Sequence, residues 1–84
     1  MEQMEHYGPD WSKAPYWARF WAINRDKFPD GDAIWADWYE NEPSYRSGIW
    51  VCPSGRIQED SSFAAALAAE KSIDGPGTRR RRPA

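Results

Sequence analysis

"YWARFWAINRDKFPDGDAIWADWYE", residues 16–40, carries eight aromatic side chains in twenty-five positions, and the pairing of its two aromatic runs decides the fold. The first run, residues 16–23, is dense in β-formers, as is the second, residues 33–40. Between them "NRDKFPDGD", residues 24–32, reads as a polar loop, with Pro29 and Asp30-Gly31 supplying turn chemistry. Side chains alternate along a strand. The first strand therefore sets Trp17, Arg19 and Trp21 on one face and Ala18, Phe20 and Ala22 on the other. In the second strand, Trp35, Asp37 and Tyr39 share a face, and Ile34, Ala36 and Trp38 share the opposite one. A register with Trp21 opposite Trp35 places Arg19 against Asp37 and Trp17 against Tyr39, a charge pair between two aromatic pairs. On the reverse face it sets Ala18 against Trp38 and Phe20 against Ala36, large against small. A slip of one residue spoils both faces.

Outward from this hairpin, "NEPSYRS" is a loop around Pro43, and "GIWVC", residues 48–52, is a short third strand closed by the turn "PSG". "SSFAAALAAEKS", residues 61–72, is alanine-rich and helical in pattern, with Asp60 or a following serine as its cap and "DGPG" as its stop. Residues 1–10 form a flexible N-terminal arm, 11–74 a single β-β-β-α domain and 75–84 a disordered basic tail. The expected fold class is α+β: a three-stranded antiparallel meander with one C-terminal helix packed on one face. Phe20, Ile34, Trp38, Phe63, Leu67 and the alanines would then form the core.

Eighty-four residues make a small domain that buries little surface, yet the usual staples are missing. Cys52 is the only cysteine and His6 the only histidine, which rules out an internal disulfide and a zinc site. Six Trp, four Tyr and three Phe supply the burial instead. No basic leader with an apolar run is visible, nor any apolar stretch of about 18 residues, so neither a cleaved secretion signal nor a membrane span is expected. The formal net charge of −2 hides an asymmetry: acids outnumber bases eleven to six over residues 1–60, whereas residues 61–84 hold five bases and two acids.

Nothing in the chain sets up catalysis. "CPSGR", residues 52–56, has three residues between Cys and Arg where the cysteine-phosphatase signature has five, so Cys52 reads as a small strand residue ahead of a turn. No cofactor or metal is expected, and no enzymatic activity. A buried Arg19–Asp37 pair is costly, which directs Trp17, Arg19, Trp21, Trp35, Asp37 and Tyr39 outward as a partner-binding surface. The competing reading has the arm, led by Tyr7 and Trp11, folding back over that face. Asp30, Asp32, Glu40 and Glu42 are candidate acidic contacts to a basic partner, and Arg79, Arg80, Arg81 and Arg82 candidate phosphate contacts.

"DWSKAPYWARFWAINRD", "AIWADWYENEP" and "GIW" together resemble a pattern of small, Trp-rich proteins of tailed bacteriophages and prophages. The resemblance spans Asp10 to about Gly55 and rests on Trp11, Pro15, Trp17, Ala18, Trp21, Ala22, Tyr39, Pro43 and Trp50 in order. It implies a phage origin and the cytoplasm of a bacterial host, and attaches no activity. The expected function is that of a non-enzymatic phage-type protein binding, and inhibiting or redirecting, a bacterial host or defence protein through the aromatic face. The alternatives are single-stranded nucleic-acid binding through ring stacking and the arginine tail, and self-association of two copies through the rings.

Overall fold

The computed structural model describes residues 9–29, 31–63 and 76–83. Two nine-residue strands, β1 (Phe20–Phe28) and β2 (Gly31–Tyr39), pair antiparallel from Phe28 opposite Gly31 to Phe20 opposite Tyr39. Only residues 29 and 30 separate them. The stretch read as a loop over 24–32 is therefore mostly strand, because its polar residues have partners: Asn24 is buried and hydrogen-bonded within the fold. This correction moves the register by three residues. Trp21 faces Trp38 rather than Trp35. An odd shift exchanges the residues that share a face, so both faces differ from the expected ones.

The expected α+β meander with a C-terminal helix is replaced by a mostly β architecture, with six strands in two antiparallel sheets among the described residues. The short β5 (Ile57–Glu59) flanks β2, and β6 (Arg80–Arg81) flanks β1, giving the order β5-β2-β1-β6. The expected third strand does not join this sheet. It becomes β4 (Ile49–Val51), paired with β3 (Ser44–Arg46) in a separate hairpin. Ser47 and Gly48 connect the two at φ of 52° and 84°, the double positive φ that two-residue type I′ turns require. Among the described residues there is no α-helix, and most of the expected helix, from residue 64 onward, lies outside them. So do residues 1–8 of the expected arm.

Both faces of the large sheet are covered, which explains the aromatic density. On one face Ala18, Trp21, Ile23, Ala36 and Trp38 are buried beneath Trp11, Ala14, Trp17 and Phe63. Trp11 tilts onto Trp38 with ring centroids 5.2 Å apart, and Phe63 meets Trp21 edge-on at 5.9 Å. A 3₁₀ turn, Trp11–Lys13, capped by the Asp10 carboxylate on the Ser12 amide, brings Trp11 there. On the other face the β3–β4 hairpin lays Trp50 and Tyr45 over Ala22, Tyr39 and Phe20. Trp11 thus covers Trp38 on the face it shares with Trp21, while Tyr7, the other residue expected to cover the rings, lies outside the described residues.

Buried polar groups tie the layers together. The Asn24 carboxamide accepts from the Trp50 amide at 2.7 Å and donates to the Tyr39 hydroxyl at 3.3 Å. The Trp21 indole N–H donates to the buried Asp60 carboxylate at 3.0 Å. Thr78 Oγ1, also buried, accepts from the Ile23 amide and the Trp50 indole and so anchors the chain entering β6. The arginine run expected to be a disordered tail is held in the sheet by that anchor.

Candidate functional site: an arginine-lined aromatic groove

The six residues expected to form one docking face are split between both sides of the sheet. Trp21 is 1% exposed and Tyr39 2%, each inside a different core cluster. Trp17 is half-buried against the Trp21 cluster. Trp35 and Asp37 are half-buried and bonded to each other, the indole N–H to Oδ2 at 2.9 Å. Only Arg19 is exposed. The expectation failed because it assumed an antiparallel sheet with one wet face, whereas this one carries cover on both.

Asp37 illustrates what that cover does. Its Oδ2 accepts from Trp35 and lies within 3.4–3.5 Å of the Asn24 carboxamide and the Tyr39 hydroxyl. Burial nonetheless outweighs these bonds and lifts its carboxyl above the ordinary carboxylate value, with Glu59 adding repulsion. Burial, together with the Asp37 charge, raises the Tyr39 hydroxyl as well. The group is an internal polar knot rather than a recognition surface.

Of the candidate acidic contacts, Glu40 is taken by Arg56 and Glu42 by Arg79, the latter at 2.7 Å. Asp30 and the side chain of Asp32 lie outside the described residues. The four arginines divide by role. Arg79 pairs with Glu42, donates to the Pro43 carbonyl and stacks on Trp50. Arg80 turns back onto the carbonyls of Gly77 and Arg79.

Arg81 and Arg82 instead open onto a groove of about 500 Å³ at one end of the sheet, lined with Tyr16, Ala18, Arg19, Phe20 and Pro83. Register builds it: Phe20 pairs with Arg81, and the Arg82 amide donates to the Arg19 carbonyl at 2.8 Å. The Arg81 guanidinium lies over the Phe20 ring, 5.4 Å from its centroid. Arg82 is held by the carbonyls of Pro15 and Ala18, and its guanidinium lies over Trp11. Among the described residues no carboxylate forms an ion pair with Arg19, Arg81 or Arg82. Tyr16, beside them, is 85% exposed. Sequence reasoning passed over Tyr16 and Phe20 as site residues, because no local signal links positions 16–20 to positions 81–83.

Among the described residues no cluster of three or more His, Cys, Asp or Glu side chains could hold a metal. Cys52 Sγ sits 3.1 Å from the Ser54 carbonyl and shapes the turn that follows β4. No described helix is long and apolar enough to cross a membrane. Compared with protein-family models, with curated proteins and with solved structures, the chain matches none.

Proposed function

We propose that this protein is a non-enzymatic binding module that takes a short single-stranded stretch of nucleic acid in the Tyr16–Arg82 groove. The observation that carries this reading is the company Tyr16 and Phe20 keep: three arginines without ion-pair partners among the described residues, in a chain of net charge −2. A cationic groove beside an exposed ring such as Tyr16 suits unpaired bases, because every base has a face to stack and every nucleotide a phosphate to neutralise. Glu40, the carboxylate whose charge reaches Arg19, is itself paired with Arg56, and charges beyond roughly 8–10 Å are screened at physiological salt.

The rival reading, capture of a host protein by an aromatic sheet face, has less support, since two of its rings, Trp21 and Tyr39, lie in the cores described above. An acidic protein segment would use the same arginines without needing a stacking ring. Anisotropy of a labelled twelve-nucleotide thymidine oligomer separates the two. Binding is expected to weaken with salt at a log–log slope of about −2, from about 0.7 per neutralised phosphate over three arginines. Tyr16→Ala is expected to weaken it about ten-fold, within the range that one stacked base contributes, while duplex of the same length binds less well. No binding at low salt, or binding indifferent to Tyr16, would falsify the reading; retention of an acidic peptide in that case would favour the protein partner.

A further inference from the structure

The geometry points to Tyr16 as the stacking platform of the groove and to the Arg56–Glu40 pair as the device that positions it; this inference rests on the reading just proposed. Tyr16 is one of two large apolar side chains that stand exposed among the described residues, with Ile57 the other. An exposed ring ordinarily samples several rotamers. This one is held. Arg56 Nη1 donates to its hydroxyl at 3.2 Å, and the same guanidinium lies over its ring, 5.5 Å from the centroid.

Arg56 is itself constrained from two directions. Below it lies the Trp17 ring, 5.2 Å from the guanidinium carbon, and Trp17 packs on the Trp21–Trp38 core. Beside it the Glu40 carboxylate accepts from Nε at 3.2 Å, from Nη2 at 3.1 Å and from the Arg56 amide at 3.0 Å. The Glu40 amide in turn donates to the Arg56 carbonyl, so the two residues sit opposite one another just past the end of the β2–β5 ladder. The result is a layered stack that runs from the core through Trp17 and Arg56 to Tyr16 and the groove.

Energetics favour a functional reading of this stack. The Arg56 and Glu40 side chains are 51% and 32% exposed, and exposed ion pairs return little stability against the entropy of ordering two long chains. What the arrangement does accomplish is to fix a solvent-facing ring before any ligand arrives, which removes an ordering cost from binding. Arg56 has the planar fork that this needs; lysine does not.

The test uses the full chain and two readouts. In the free protein, NMR contacts from the Tyr16 ring protons to Arg56 and Trp17 are expected in the wild type and lost in Arg56→Lys, which keeps the charge. With the thymidine oligomer, Arg56→Lys is expected to weaken binding several-fold, whereas Tyr16→Ala/Arg56→Lys binds no more weakly than Tyr16→Ala alone. Tyr16→Phe, which keeps the ring and removes only the hydroxyl bond, should fall between wild type and Tyr16→Ala. Equal losses from Arg56→Lys in both backgrounds would show a direct phosphate contact and overturn the positioning role. Absence of the ring contacts in the wild type overturns it whatever the oligomer does. A held ring in a protein that ignores the oligomer upholds the clamp and removes the nucleic-acid reading instead.

Discussion

Asp37 and Asp60 are both carboxylates inside an aromatic fold, and they do different work. Asp60 is the acceptor for the Trp21 indole and, through its other oxygen, for the amide and hydroxyl of Ser62. Removing it strands a buried N–H donor, so Asp60→Ala should cost about 1–3 kcal/mol in urea denaturation. A change under about 0.5 kcal/mol would show that water replaces the carboxylate. Asp37 acts through its proton. Its carboxyl titrates above the ordinary value in the folded state, chiefly because of burial, so folding binds the proton more tightly than the unfolded chain does. The stability this lends is complete below the unfolded pKa of about 3.8 and is lost as pH rises through the folded value. Asp37→Asn removes that term while keeping an acceptor for Trp35. Glu40 has the opposite sign: the Arg56 guanidinium and amide bonds hold its carboxyl low, so its contribution disappears as pH falls. The difference in stability between pH 7 and pH 3 is therefore expected to be larger in Asp37→Asn than in the wild type. Equal differences would mean that Asp37 titrates normally.

At the scale of elements, the turns decide more than the strands. Gly48 and Gly55 both sit at positive φ, 84° and 87°, where a β-carbon costs about 1–2 kcal/mol. They differ in surroundings: an added methyl at Gly48 meets nothing within 4 Å, while one at Gly55 comes within 2.6 Å of the Asn41 carboxamide nitrogen, which bonds Ser54. Gly55→Ala is thus expected to cost more than Gly48→Ala, with thermal melting as the measure. It should also weaken oligomer binding, because residue 55 directly precedes Arg56. Equal costs and unchanged binding would mean that Asn41 simply rotates away. Turns are also where the sequence was misread. The two aromatic runs, their antiparallel pairing and the turn after residue 52 were legible from alternation and Gly/Pro placement. The hairpin register was not, because Asn24, Arg25 and Asp26 look like loop residues until Trp50 and Tyr39 are seen supplying partners for Asn24. A polar residue satisfied by a neighbour far along the chain leaves no local trace.

The whole molecule closes its groove with both ends of the described chain. Residues 16–20 supply the rings and Arg19, and residues 81–83 supply the remaining cations after sixty intervening positions. For that reason the site was only half legible: "RRRR" announced a cationic element, but composition alone reads such a run as a solvated tail. Its incorporation depends on Thr78, whose side chain stands where a backbone partner would bond Ile23. A chain ending after Gly77 loses that anchor, the β6 ladder, the Arg82 contacts to Pro15 and Ala18, and the cover of Arg82 on Trp11. At about 1 kcal/mol net for each lost hydrogen bond, the loss is a sizeable part of what holds a domain of this size folded. Thr78→Val is the gentler variant, keeping shape and removing only the hydroxyl. It is expected to speed hydrogen exchange at the Ile23 amide and to reduce oligomer affinity several-fold without unfolding the chain, because Arg81 and Arg82 lose their fixed position. Substituting glutamine at Arg81 and Arg82 should instead lower affinity with the Ile23 amide still protected. If truncation after Gly77 leaves the melting temperature unchanged, the arginines are appended to the fold rather than built into it, and the groove has no wall on that side.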